Sequence, residues 1–120
     1  MKDYRIGIVN GYIYNQEFDS ANYLNKIKLP LDENILKMLV LNRLDLGLVD
    51  EFNAKHLFKS MPEAKTSLKV ISPPLEIKTL HVMFSEQNKD AASMIKKFDE
   101  ALATLTSTGL IEKILSKHDL

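Results

Sequence analysis

The sequence predicts an α/β domain: a mostly parallel sheet flanked by helices. Three observations lead there. Short β-branched runs alternate along the chain with apolar stripes of three- and four-residue spacing, the pattern of strands joined by crossover helices. The length, 120 residues, suits one small domain with a single core. The composition, 45% hydrophobic and 27% charged, is that of an ordinary globular chain.

The elements follow in order. Tyr4 to Asn10 is a β-branched run closed by Gly11, read as a largely buried strand. Tyr14, Phe18, Ala21, Leu24 and Ile27 then recur at helical spacing, and Pro30 ends that helix. Asp32 is placed as N-cap of a second helix over 33–42, with Ile35, Leu36, Leu39 and Val40 facing the core. Residues 45–50 are the next strand. Phe52, Leu57, Phe58 and Met61 mark a third helix that stops at Pro62.

Residues 68–71 read as a further strand, and Ser72-Pro73-Pro74 as a stiff connection. Leu80, Val82 and Phe84 alternate with Thr79, His81, Met83 and Ser85, as in a half-buried strand. Met94, Ile95, Phe98, Leu102 and Leu105 form a helical stripe, Gly109 breaks it, and Leu110, Ile111, Ile114 and Leu115 begin another. The chain thus divides into an α/β core over 1–71, a proline-containing connection over 72–78, and a strand with two helices over 79–120.

Charge and composition exclude several functions. Basic and acidic residues number 16 each, and neither part of the chain hides a basic surplus, so binding driven by phosphate neutralisation is not expected. Cysteine is absent, which removes disulfides, thiol nucleophiles and thiolate metal sites. No apolar run approaches the ~20 residues a membrane span needs, and the N-terminus enters a strand pattern without a signal-peptide core. His56, His81 and His118 lack ligand spacing, and there is neither a phosphate-binding glycine loop nor a nucleophile elbow. No metal or cofactor is therefore expected. Asp45 and Asp50 sit at opposite ends of one strand, roughly 16 Å apart, too far to act as a glycosidase pair.

Ligands of open parallel sheets bind at the carboxyl ends of strands. Two such ends carry chemistry. Gly11-Tyr12-Ile13-Tyr14 leads out of the first strand toward a helix start, where free N–H groups and the helix dipole suit a carboxylate. Asp50 ends the strand that begins at Asp45, so positive dipole and negative charge would share an edge and suit a zwitterion. A plainer reading stands beside each: Asp50 as the N-cap of the next helix, Gly11 as a turn glycine. Tyr12, Tyr14 and Phe18 offer aromatic faces on which a ligand could stack, with core packing the preferred role of Tyr14 and Phe18.

Three segments together resemble bacterial solute-binding proteins of family 3, the periplasmic receptors of amino-acid-type ABC importers. They are Arg5 to Tyr14, Leu39 to Asp50, and Phe98 to Leu115. The resemblance implies a type II periplasmic-binding-protein fold whose two lobes close on a small polar solute, an amino acid or similar, and hand it to an ABC permease. Residues 1–71 match the second lobe, and 79–120 the segment returning through the hinge to the first. Asp50 then matches the carboxylate that holds a ligand ammonium, and Gly11 to Tyr14 the loop that faces its carboxylate. Tyr12 and Ile13 depart from the Ser or Thr usual after that glycine.

The resemblance also implies that the stripe over 94–115 belongs against a sheet of the first lobe. The expectation is that residues 79–120 fold back on the core or exchange with a second copy to form a homodimer. Rival readings are a same-fold enzyme of dehydratase type acting on small carboxylic acids, with Asp50 and Glu51 as acid–base candidates, and the sensory module of a signalling protein. A receiver domain would need an acidic pair after the first strand, where Asn10-Gly11 stands.

Overall fold

A computed structural model describes residues 3–118. Residues 1, 2, 119 and 120, the outer ends of the predicted segments, lie outside the described residues. The fold is α/β, with a three-stranded parallel sheet of order β2-β1-β3. The elements are β1 (Arg5–Val9), α1 (Gln16–Ser20), β2 (Asn25–Leu29), α2 (Asp32–Val40), β3 (Leu46–Gly47), α3 (Glu51–Ser60), α4 (Pro62–Ser67), α5 (Ala91–Ser107) and α6 (Leu110–Lys117). Contacts divide the chain after Ile77 into two compact units.

In the first unit β1 is the central strand, and residues 6–9 are all buried. Side chains alternate across the sheet. Ile6 and Ile8 pack with Phe18 on one face, joined by Tyr14, Leu24, Leu46 and Leu48. Val9 packs with Ile35 and Leu44 on the face that α2 covers. Gly7 and Gly47 are register partners in β1 and β3, and both would place a Cβ against Ile35. These glycines let α2 lie close to the sheet. Leu36, Met61 and Ala64 then knit α2 to α4.

The structure corrects several sequence expectations. The helix expected over 14–27 is the five-residue α1 followed by β2. Phe18 and Ala21 are buried as the stripe required, but Lys26-Ile27-Lys28-Leu29 alternates polar and apolar with period two and pairs with β1. Asp32 is not the N-cap of α2. Leu31 holds that position, and Asp32 is the first helical residue, making no capping bond. Pro62 does not simply stop a helix but opens α4, where its missing N–H goes unneeded.

No strand forms over 68–71 or 79–85; both stretches are irregular, and the alternating residues Leu80 and Val82 are exposed. β3 is shorter than the expected 45–50, although the N–H of Asp45 and of Leu48 still donate to the carbonyls of Arg5 and Gly7 at 2.9 Å. In the second unit, Gly109 adopts φ 69° between α5 and α6, the left-handed geometry that ends one helix and allows the next. Neither helix contains a buried residue.

Candidate functional site

Because β1, β2 and β3 are parallel, their carboxyl ends share one edge. Gly7 faces Gly47, so Asn10 and Asp50 lie equally far beyond the paired residues. The chain places β2 on one side of β1 and β3 on the other, which makes the gap between the ends of β1 and β3 the topological switch point. The Gly11 loop and Asp50 flank it.

The loop after β1 is a turn rather than a helix start. Gly11 has φ 81°, and the N–H of Tyr12 donates back to the Val9 carbonyl at 3.3 Å. The N–H of Tyr14 donates to Asp19 Oδ2 at 3.0 Å. The short helix α1 begins only at Gln16, capped by Asn15, whose Oδ1 accepts from the Phe18 N–H at 2.8 Å. Two amides of the expected anion seat, those of Tyr12 and Tyr14, are therefore already engaged within the protein.

Tyr14 is anchored. Its ring meets Phe18 edge-on at 5.7 Å between centroids, and its hydroxyl accepts from the Val9 N–H at 2.8 Å. Burial raises its pKa, opposed by the bond from Val9 and assisted by the charge of Asp32. Tyr12 and Ile13 are exposed, and Tyr12 leans toward Tyr14 with ring centroids 6.3 Å apart. Gly11, Tyr12 and Ile13 line an open depression of about 640 Å³, together with Asn10, Lys26 and Lys28. Lys26 is committed, donating to the Phe18 and Asp19 carbonyls at 2.9 and 3.0 Å. Lys28 is exposed. Tyr14 and Asp50 are not in the wall of this depression, so the five predicted residues share an edge without forming one pocket.

Asp50 is exposed and caps α3: its Oδ1 accepts from the Asn53 N–H at 2.8 Å. Asn53 in turn reaches Asp32, its Nδ2 donating to Asp32 Oδ2 at 2.5 Å. Asp32 is only 4% exposed, and its Oδ1 has no hydrogen-bond partner. Burial raises its pKa; the Asn53 bond works against this and the charge of Asp50 adds to it. Sequence reasoning placed Asp32 as a surface cap and missed its burial. The available signal was the flanking Leu29-Pro30-Leu31, which carries β2 directly into α2 and leaves the first helical side chain at the sheet edge.

Among the described residues no group of three or more His, Asp or Glu side chains is placed to hold a metal ion. No helix of the described residues is long and apolar enough to cross a membrane. No protein-family model, curated protein or solved structure matches the chain.

Proposed function

We propose that the first unit is one lobe of a solute receptor of the type II periplasmic-binding-protein class, and that it grips a small zwitterionic or cationic solute at the carboxyl edge of its sheet. The observation that carries this reading is the placement of Asp50 and the Gly11 loop on either side of the switch point. Asp50 uses Oδ1 to cap α3, and its exposed carboxylate keeps Oδ2 for a ligand ammonium. Lys28, which lines the depression together with Tyr12, supplies a positive charge in place of the engaged amides of Tyr12 and Tyr14. Tyr12 offers an aromatic face.

In this reading the protein is not an enzyme. It serves in the periplasm, delivers an amino acid or similar solute to an ABC permease, and uses residues 79–120 to complete an opposing lobe or a second copy. A single lobe binds weakly, because half of the ligand stays in water; a Kd of about 1 mM corresponds to only about −4 kcal/mol.

The test is an NMR titration of the chain with the common amino acids at millimolar concentration. Amide shifts clustered at Asp50, Tyr12 and Lys28 are expected, and Asp50→Asn should weaken binding roughly tenfold or more while preserving the cap. Shifts confined to other surfaces, or an unchanged affinity in Asp50→Asn, would refute the assignment.

A further inference from the structure

Asp32 is the buried charged side chain of the described core, and its two oxygens have unequal surroundings. Oδ2 accepts from Asn53 Nδ2, whereas Oδ1 is buried and accepts from nothing. Such a place disfavours an ionised carboxylate. A proton on Oδ1 removes the charge and leaves Oδ2 free to keep its bond to Asn53.

Asn53 also ties this group to Asp50, because its backbone N–H donates to Asp50 Oδ1. One asparagine thus holds two carboxylates, one buried and one exposed, and the charge of Asp50 opposes ionisation of Asp32. Around α2, the charge that acts on Asp32 is Asp50 before α3, while Asp32 in turn acts on Tyr14 after β1. Lys26 and Lys28 of β2 line the depression, β3 carries no titratable side chain, and Glu63 and Lys65 of α4 are exposed. Within α2, Glu33 pairs with Lys37, and Glu51 of α3 with Lys55, at the surface. The start of the α2 dipole favours the anion, against burial and Asp50.

We propose that Asp32 is a positioning residue for the Asp50 cation site and carries a proton that a cation bound at Asp50 expels. This rests on the reading of Asp50 as the ammonium contact. An ammonium ion arriving at Asp50 offsets the charge that adds to burial in holding the proton on Asp32. The Asp32 O–H bond then breaks, its electron pair stays on the carboxylate, and the proton passes to solvent. One positive charge replaces another. Acid therefore competes with cationic ligand, and affinity falls as pH falls.

The test follows the Asp32 side-chain carboxyl carbon by NMR across pH in the full chain. Without ligand, its midpoint should lie above the ordinary aspartate value, move down in Asp50→Asn and move up in Asn53→Ala. A midpoint at or below the ordinary value, or one unmoved in Asp50→Asn, overturns the proposal. Methylammonium chloride, compared with sodium chloride at equal ionic strength, should lower the midpoint as Asp50→Asn does. If Asp50→Asn lowers it and methylammonium does not, the two carboxylates are coupled but Asp50 is not an ammonium contact, and the expulsion step falls with that reading.

Asp32→Asn, which mimics the neutral acid, should make methylammonium-induced shifts at the Asp50 amide independent of pH over the Asp32 titration range. A purely structural Asp32 would leave that pH profile as in the unsubstituted chain. If Asp32→Asn fails to fold, the Asp50→Asn comparison still decides.

Discussion

Replacing Gly47 with alanine tests how closely α2 is seated on the sheet. A Cβ at Gly47 would overlap Ile35 Cγ2 and lie 2.9 Å from Leu39 Cδ1. Ile35 is 0% exposed, and its Cγ2 branches directly from Cβ, so it moves only if χ1 leaves the rotamer preferred in a helix or the helix backbone moves. Overpacking of this kind costs about 1–3 kcal/mol. Gly47 does not have a positive φ, so the substitution also recovers about 0.4–1 kcal/mol by restricting the unfolded chain. The net expectation is a loss centred on about 1.3 kcal/mol and no larger than about 2.6 kcal/mol.

Gly7→Ala provides the internal control. Its Cβ would meet Leu44 Cδ1 at 2.5 Å, the mobile tip of a side chain, and Ile35 Cγ2 only at 3.2 Å. It should therefore cost less than Gly47→Ala. Urea unfolding followed by far-UV circular dichroism reads both, with an m-value of roughly 1 kcal/mol/M placing the Gly47→Ala midpoint about 1 M or more below the unsubstituted chain. Ile35→Leu, which removes the branch at Cβ, should restore part of the loss in the double variant, with a coupling of about 0.5–3 kcal/mol. A Gly47→Ala chain as stable as the original, or less affected than Gly7→Ala, would refute the close seating.

Gly11→Ala meets no atom within 4 Å, so its cost is conformational alone, about 1–2 kcal/mol for a side chain held at φ 81°; an unchanged unfolding midpoint would contradict the turn. Arg5 bonds Asp45 through its backbone N–H, Nε and Nη2, and holds the Asp45 carboxyl at about 2 rather than 3.8. The pair's contribution is complete above the ordinary aspartate range and disappears as pH falls through about 2, so Arg5→Gln should raise the Asp45 titration midpoint seen by NMR. Asp32 has the opposite sign. Its raised pKa favours the fold at low pH and works against it as pH rises through the folded-state value, so Asp32→Asn should be more stable than the unsubstituted chain at neutral pH in urea unfolding. In α5, Met94, Ile95, Phe98 and Leu102 are 39–44% exposed, and concentration-dependent self-association by sedimentation equilibrium is expected to vanish in Phe98→Asp/Leu102→Asp; a monomer at every concentration would oppose segment exchange.

The sequence was most legible where one period ran without interruption. The β-branched run of β1, the stripe of α2 and the stripe of α5 each appear where their spacing placed them. It was least legible where two elements met without punctuation. Leu24 and Ile27 continue the spacing of Phe18 and Ala21 by coincidence, because a five-residue helix followed by a strand can imitate a longer stripe. The turn that separates them is built by backbone bonds, Ala21 N–H to Phe18 carbonyl and Leu24 N–H to Ala21 carbonyl, which leave no mark on residue type. Alternation over 79–85 specifies a strand only when a neighbouring strand supplies hydrogen bonds, and those residues are irregular. The strand-end placement was legible too: Asp50 and Gly11 lie on the expected edge of the sheet, while the Asp32–Asn53 link spans two helices and could not be read from either.

That link also bears on the two readings of Asp50, as helix cap and as ligand contact. They are compatible, because a carboxylate has two oxygens and the cap uses one. On the proposed reading, capping prepares the contact: the Asn53 N–H holds Asp50, and Asp32 accepts from the side chain of Asn53. An uncapped aspartate at the strand end would have to lose side-chain freedom on meeting a ligand, whereas this one has already lost it on folding. The cap and the charge are separable in substitution. Asn at position 50 retains an acceptor for the cap and loses the charge; Ala loses both and should destabilise α3 by about 0.5–2 kcal/mol. If ligand shifts vanish in Asp50→Asn while the unfolding midpoint holds, the charge is what the site uses. If both variants lose only stability, Asp50 is a cap and nothing more.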